Sequence, residues 1–500
     1  MCEREHESCR EFGQDQPLPY RVLEITDLSA KKTGVRLVEN QDETRGAYAC
    51  LSYCWGQSNT DAGQTKRSNI SSYLEGIPLD DLPSTVVDAI RLCHQLGIRY
   101  LWVDRICIKQ DDEKDWSKQA SRMCEVYSRS ALTISVPLCK ESSESFLARR
   151  RLGFRERDKF TTITHKDNNS TTKSVSWISE GYLEREVGPW FLEKNWEWFT
   201  SSSNNTQNRW LGRGWTFQEW ILSPRVLHID SITLWDCFDG YANELFRRDM
   251  ENPFLLRNPT DLGNRISWDF VVEEYSARRI THEKDRLPAL AGLAVQYAKA
   301  TGHTYLAGLW REGPLRSLLW MRHGESDSEY AWRVSKYAPS WSWASLNESI
   351  YYDPGLLGKE FTEKASMSSA FCQYNPPNSC STVEKAWIEI NGRVGIVTTT
   401  RHDETTGREI EVKVEGKWWE VDLDYNPRFW DDAIQQRSIS LLLIGSNARY
   451  TSGVVIQECE DEDKHPCYRR LGVAWLDYIF ENEDPSHVGL EWEARVVRLI

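Results

Sequence analysis

Residues 48–56 read YACLSYCWG, and this short apolar run ending in glycine decides the fold. It is too continuous for a half-solvated strand, which would alternate, and too short for an amphipathic helix. A strand buried on both faces of a parallel sheet reads this way. Downstream, LPSTVVDAIRLCHQLGI (82–98) opens with Pro83 and Ser84, which suit a helix start, and carries Val86, Ile90, Cys93 and Gly97 at helical spacing. RYLWVD (99–104) is then a second buried strand. DWSKQASRMCEVYSRS (115–130) sets Trp116, Ala120, Met123 and Tyr127 on one helical stripe, and ALTISV (131–136) is a third strand. Strand, helix, strand, helix, strand defines an α/β unit with a parallel sheet, right-handed crossovers and flanking helices. Ligands bind such sheets beyond the carboxyl ends of the strands. Tyr53, Trp55 and Gly56 follow the first strand, Asp104 and Arg105 end the second, and the five are expected to share one mouth.

Further out, PYRVLEI (19–25) and GVRLVEN (34–40) alternate as a hairpin does, and RVLHID (225–230) with ITLWDCF (232–238) forms a second strand pair. Residues 155–210 are rich in Ser, Thr and Asn around the aromatic island WFLEKNWEWF (190–199) and read as a long insertion. SWDFVVEEYSARRIT (267–281) and KDRLPALAGLAVQYAKAT (284–301) are helical, and from about 340 the pattern turns strand-like. The expected organisation is an N-terminal tail over 1–18, an α/β domain over 19–240, a mainly helical extension over 241–346 and a β-rich region over 347–500. No internal repeat is evident.

Composition narrows the function classes. A mean hydropathy of -0.59 and 27% charged residues describe a soluble protein with ample core material. No apolar run reaches membrane-span length, and the charged N-terminus lacks a secretory signal, which points to the cytoplasm. A net charge of -14 argues against nucleic acid as a partner. The cysteines number 13, an odd count, and Cys93, Cys107, Cys124 and Cys237 sit in apolar segments as buried thiols do in a reducing compartment. With no CxxC pair and no HExxH, neither metal nor cofactor is expected. A serine hydrolase lacks its GxSxG, and a kinase its glycine-rich phosphate loop.

RGWTFQEWIL (213–222) poses the sharpest question, the use of Glu219. Thr216-x-x-Glu219 fits a capping box, with Pro224 ending the helix after about two turns. A buried salt bridge or catalysis are the alternatives. Tyr53 and Trp55 read equally as core aromatics, Asp104 as a loop hydrogen-bonding group, and DDEKD (111–115) as a solvated helix start. PSWSW (339–343) reads as an inter-domain packing motif.

Four segments together resemble the fungal heterokaryon incompatibility (HET) domain family: YACLSYCWG, LWVDRICIKQDDEKDWSKQASRMCEVYSRSA, GRGWTFQEWILSPRVLHI, and the pair DRLPALAGLA and APSWSWAS. They occur in the family's order over about residues 20–346. The resemblance implies a flavodoxin-like fold similar to Toll/interleukin-1 receptor (TIR) domains, non-self recognition between fungal cells, and programmed cell death when incompatible strains fuse. It also implies an incompatibility partner protein and assembly, as a homo-oligomer. Some TIR domains cleave NAD with the glutamate of a W-x-x-x-E pattern, and Trp215 and Glu219 stand at that spacing. NAD would then be a substrate. Cleaving the nicotinamide–ribose bond expels a neutral leaving group through an oxocarbenium-like transition state, which one carboxylate can stabilise. Tyr53, Trp55, Gly56, Asp104, Arg105, Arg213 and Trp215 would bind substrate around a catalytic Glu219. Family members commonly carry a small residue at the position of Arg105 and a basic one at that of Trp220, so Arg105 or Arg213 would have to hold the pyrophosphate. The competing reading is a TIR-like signalling module without chemistry, since one fold hosts both.

Overall fold

The computed structural model describes residues 6, 9, 15–28, 34–40, 44–56, 62–148, 161–166, 172–177, 210–229, 233–243, 250–251, 267–323, 335–356, 360–374, 382–402, 410–424, 439–461, 464–478 and 492–500. They form two compact units. The first comprises Met1–Asp112, Arg129–Thr216 and Ser223–Asn252, the second Glu113–Ser128, Phe217–Leu222 and Pro253–Ile500.

The first unit is built on a nine-stranded sheet. Its strands are β1 (Arg21–Ile25), β2 (Val35–Glu39), β3 (Tyr48–Ser52), β4 (Tyr100–Trp102), β5 (Leu132–Ser135), β6 (Arg225–Ile229), β7 (Thr233–Cys237), β8 (Gly240–Asn243) and β9 (Met250–Glu251). They lie in the order β9-β8-β7-β6-β5-β3-β4-β1-β2. The central pairs β4–β3, β3–β5 and β5–β6 are parallel. Every residue of β3 and β5 is buried, as their continuous apolar character requires. The sheet is mixed rather than parallel throughout, and the two strand pairs expected from the sequence form part of its antiparallel edges. β1 runs antiparallel to β4 and β2 to β1, while β6–β7–β8–β9 form an antiparallel meander. The short connections from β1 to β2 and along β6–β7–β8–β9 admit only hairpins, so these edge pairs are antiparallel.

Helix α1 (Ser84–Leu96) links β3 to β4. Pro83 precedes it, and Gly97 closes it at φ 73°, returning its N–H to the carbonyls of Cys93 and His94. β3 crosses to β4 on one side, whereas the chain from β4 returns to β5 on the other. The carboxyl end of β3 is therefore a topological switch point, where parallel α/β sheets open a crevice. Helix α2 is one turn, Asp104–Cys107.

The single helix expected over 115–130 is two, α3 (Glu113–Ala120) and α4 (Met123–Ser128), and both belong to the second unit. The break also undoes the stripe. Met123 and Tyr127 are buried, but Trp116 is 37% exposed. In the second unit α6 (Trp268–Ser276) starts from Ser267, whose hydroxyl accepts the Phe270 N–H, and α7 (Pro288–Thr301) has proline in its first turn. Gly292 lets α7 approach α4 closely, for a Cβ there would strike Cys124 Cβ and the Gln218 side chain. PSWSW packs inside this unit. Trp341 and Trp343 are fully buried, and the Trp343 indole donates to the Gly308 carbonyl at 2.9 Å.

The β-rich region is antiparallel except where its last strand meets Tyr468 in parallel at Leu499, and it closes on itself. Its strands are β10 (Thr362–Glu363), β11 (Ser366–Tyr374), β12 (Val383–His402), β13 (Ile410–Val414), β14 (Lys417–Leu423), β15 (Ile439–Ser446), β16 (Tyr450–Glu460), β17 (Pro466–Asp477) and β18 (Glu493–Leu499). The ring β12-β13-β14-β17-β16-β15 returns to β12 through Val394–Leu442, making a barrel with no free edge along that path. Gly395 lies where β12 passes from β15 to β13, and a Cβ there would sit 2.6 Å from Val414 and 2.9 Å from Trp492. Most of the polar insertion and its aromatic island at 190–199 lie outside the described residues.

Candidate functional site

The residues at the switch point come from four separate stretches of the first unit. Beyond β3, Tyr53 is buried and Trp55 half-buried, and Gly56 turns the chain at φ 86°. Glycine is required there on two counts, because a Cβ would also lie 2.7 Å from Glu141 Cγ and 3.0 Å from its Cα. Beyond β4, Asp104 opens α2 and Arg105 is buried beside it. The loop after β5 brings Ser142, whose N–H donates to the Trp55 carbonyl at 3.3 Å. Ahead of α5 (Gly214–Ile221) come Trp210 and Arg213.

Hydrogen bonds join these pieces. The Trp55 indole N–H donates to Asp104 Oδ2 at 2.8 Å, and the Arg105 guanidinium lies 5.4 Å from the Trp55 ring centre. Arg105 Nη1 reaches the Ser142 hydroxyl at 3.4 Å, and Arg213 Nη1 donates to the Tyr53 carbonyl at 2.9 Å. Trp210 Nε1 donates to Ser52 Oγ at 2.7 Å. Gln110 braces α2 from its far end by donating to the Asp104 carbonyl. Burial pushes the Asp104 carboxyl above its ordinary range. The Arg105 backbone N–H, Arg213, the Trp55 indole and the Arg105 guanidinium pull the other way. The arrangement is one desolvated carboxylate, two guanidinium groups and an indole face at the end of a parallel strand. It suits an anionic, ring-bearing ligand.

Tyr53, Trp55, Gly56, Asp104, Arg105 and Arg213 therefore come together. Trp215 is half-buried in the first turn of α5, and Glu219, one turn on, is buried. The helix is divided between the units, Trp215 counting with the first and Glu219 with the second. The capping box is overturned. α5 begins at Gly214, so Thr216 lies inside it, and the Thr216 hydroxyl donates backwards to the carbonyls of Trp210 and Arg213. Trp220 is buried under the Arg278 guanidinium, 5.9 Å from its ring centre and 4.8 Å from that of Phe217. Gln218 accepts the Gly292 N–H at 2.9 Å.

Ser52, Trp210, Ser142 and Gln110 were not legible as site residues, because each joins the site through contacts with residues distant in sequence. A further line escaped the sequence. Ser135 Oγ lies 3.1 Å from His228 Nδ1, and His228 Nε2 lies 3.6 Å from Asp236 Oδ2, across adjacent strands β5, β6 and β7. All three are 0% exposed, so no substrate reaches the serine and the line is a polar tie across the sheet.

The first unit is thus an α/β unit with a charged cluster at the carboxyl ends of its parallel strands. Residues 48–219 match the model of the family described as Heterokaryon incompatibility protein (HET), so the resemblance read from the sequence is borne out over that stretch. The chain is also similar to heterokaryon incompatibility protein 6, OR allele, of Neurospora crassa, 26% identical over 196 residues. That stretch covers 37% of this chain and 28% of the relative, so the chain spans well under two thirds of the relative's length. No solved structure matches the chain. Among the described residues no helix is long and apolar enough to cross a membrane.

Proposed function

We propose that this chain is a cytoplasmic heterokaryon incompatibility effector of non-self recognition, whose α/β domain over 19–240 is TIR-like and cleaves NAD(P) at the nicotinamide–ribose bond to trigger programmed cell death. A helical extension over 241–346 and a β-rich region over 347–500 complete it, and an incompatibility partner controls its assembly into homo-oligomers. The observation that carries the reading is the gathering of Trp55, Asp104, Arg105 and Arg213 at the switch point. The guanidinium groups suit a pyrophosphate and the indole suits a nicotinamide or adenine ring. Glu219 is the carboxylate assigned to the developing positive charge on the ribose, with Trp215 one turn before it.

One specific observation favours the non-enzymatic alternative. Trp55 spends its indole N–H on Asp104 and Arg213 donates to a backbone carbonyl, as groups fixing a loop would. The test is nicotinamide release from NAD by the purified chain, crowded to promote assembly, against Glu219→Gln and Arg213→Ala. Release by the wild type, lost in folded Glu219→Gln, supports the hydrolase. No release under any condition sinks it in favour of a signalling module.

A further inference from the structure

The N-terminal segment and strand β7 bring three metal-binding side chains to one point. His6 Nδ1 lies 3.2 Å from Cys237 Sγ, across 231 positions of sequence. With Cys9 Sγ, all three donor atoms lie within 4.8 Å of one another. Cys9 and Cys237 are 0% exposed and cluster with buried Phe238, while His6 is half-buried at the rim. Cys9 is also held through its backbone. The Cys9 N–H donates to the His6 carbonyl at 3.3 Å, and Arg225 Nη2 donates to the Cys9 carbonyl at 2.5 Å.

We propose that His6, Cys9 and Cys237 form a zinc-class metal site that clamps the N-terminal segment to the end of β7. Tetrahedral zinc with sulfur at about 2.3 Å and nitrogen at about 2.0 Å sets its donors roughly 3.5–3.8 Å apart, a spacing this cluster meets with small side-chain adjustments. Two thiolates and a neutral imidazole bring the ion to formal neutrality, so the assembly can be buried without an uncompensated charge. A sulfur-rich set selects zinc over the oxygen-seeking magnesium and calcium. A water or a further donor completes the tetrahedron. The thiol protons leave to solvent as the metal binds, so occupancy falls in acid. The site is independent of the switch-point cluster and of the NAD reading.

The decisive experiment measures the metal content of the full chain, purified in a reducing, metal-free buffer after zinc loading, alongside cobalt substitution. The expected result is close to one zinc per chain and a thiolate-to-cobalt charge-transfer band. Cys237→Ala removes a wholly buried side chain and can disturb the sheet. His6→Gln at the rim is the second variant, and it should keep the wild-type far-ultraviolet spectrum while zinc affinity falls at least about tenfold. A wild-type chain that retains no zinc and gives no thiolate band with cobalt overturns the site. So does a zinc affinity that a folded His6→Gln leaves unchanged, and the cluster is then a part-buried thiol–imidazole hydrogen bond.

Discussion

Asp422 on β14 offers the most quantitative test of the barrel. Burial, followed by repulsion from Asp424, pushes its carboxyl up to about 7, against the opposing pull of Arg322, Arg470 and the Arg322 backbone N–H. A folded-state value above the unfolded one means the native state holds its proton longer. The associated stability is therefore full below pH 4 and is lost as pH rises through 7. At about 1.4 kcal/mol per pH unit, the displacement from near 4 to about 7 sets an upper bound of roughly 4 kcal/mol. Asp422 keeps some solvent contact, so roughly half that is a fair expectation. Asp422→Asn preserves the shape and an acceptor for Arg322 but cannot ionise. Compared with wild type at the same pH, amide exchange over 417–423 and 466–477 should be slower in the variant at pH 8, by roughly ten- to a hundredfold. At pH 4.5 the gap should be much smaller. Equal protection at pH 8, or a gap that does not change with pH, refutes the reasoning.

Three substitutions probe other contacts. Arg470 is fully buried and pairs bidentately with Asp424 at 2.7 and 2.9 Å, with its guanidinium over the Trp320 ring. Arg470→Met leaves Asp424 buried and unpaired and should cost about 3–5 kcal/mol in denaturant unfolding, part of which Asp424→Asn restores. Gly56→Ala strains a φ of 86° and drives a methyl into Glu141, so it should destabilise the first unit by about 1–3 kcal/mol and lower its melting temperature. In an open helix Gly292→Ala would stabilise by about 1 kcal/mol. Here the methyl would strike Cys124 and Gln218, so the melting shift should have the opposite sign.

What the sequence discloses follows from the range of the forces involved. β3 was legible because burial on both faces leaves an unbroken apolar run, and α1 because its proline and glycine ends act within one turn. Both antiparallel pairs flanking the parallel core were legible as strand pairs, the first from its alternation. Three features were not. The break between α3 and α4 leaves helical periodicity almost intact on either side, so Trp116 still looked inward. Closure of the barrel depends on pairing β12 with β15, across a separation that no local pattern encodes. Thr216 carries the composition of a cap, but the preceding glycine already has helical geometry and its hydroxyl turns back to Trp210 and Arg213. At the site, the strand-end residues could be named because topology places them. Their partners Ser142, Trp210 and Gln110 depend on three-dimensional contact alone.

Two carboxylates compete for the chemistry in the proposed reaction, and pH separates them. A group that stabilises an oxocarbenium must be ionised. Asp104 is held above the ordinary carboxylate range chiefly by burial, even with an indole N–H and two guanidinium groups beside it. If Asp104 carries the charge, nicotinamide release should fail on the acid side at a pH above the ordinary carboxylate range. Arg213→Ala, which removes one of the groups favouring its ionised form, should move that limb higher still. Asp104→Asn would then abolish release with the fold intact. If Glu219 carries the charge, Glu219→Gln abolishes release. Asp104→Asn then alters binding alone, raising KM while kcat holds, because its work is to fix Trp55 against the ring of the ligand. An acid limb unmoved by Arg213→Ala, together with full activity in Asp104→Asn, would remove the switch-point cluster from the mechanism altogether. Glu219 would then have to act from another surface of the protein.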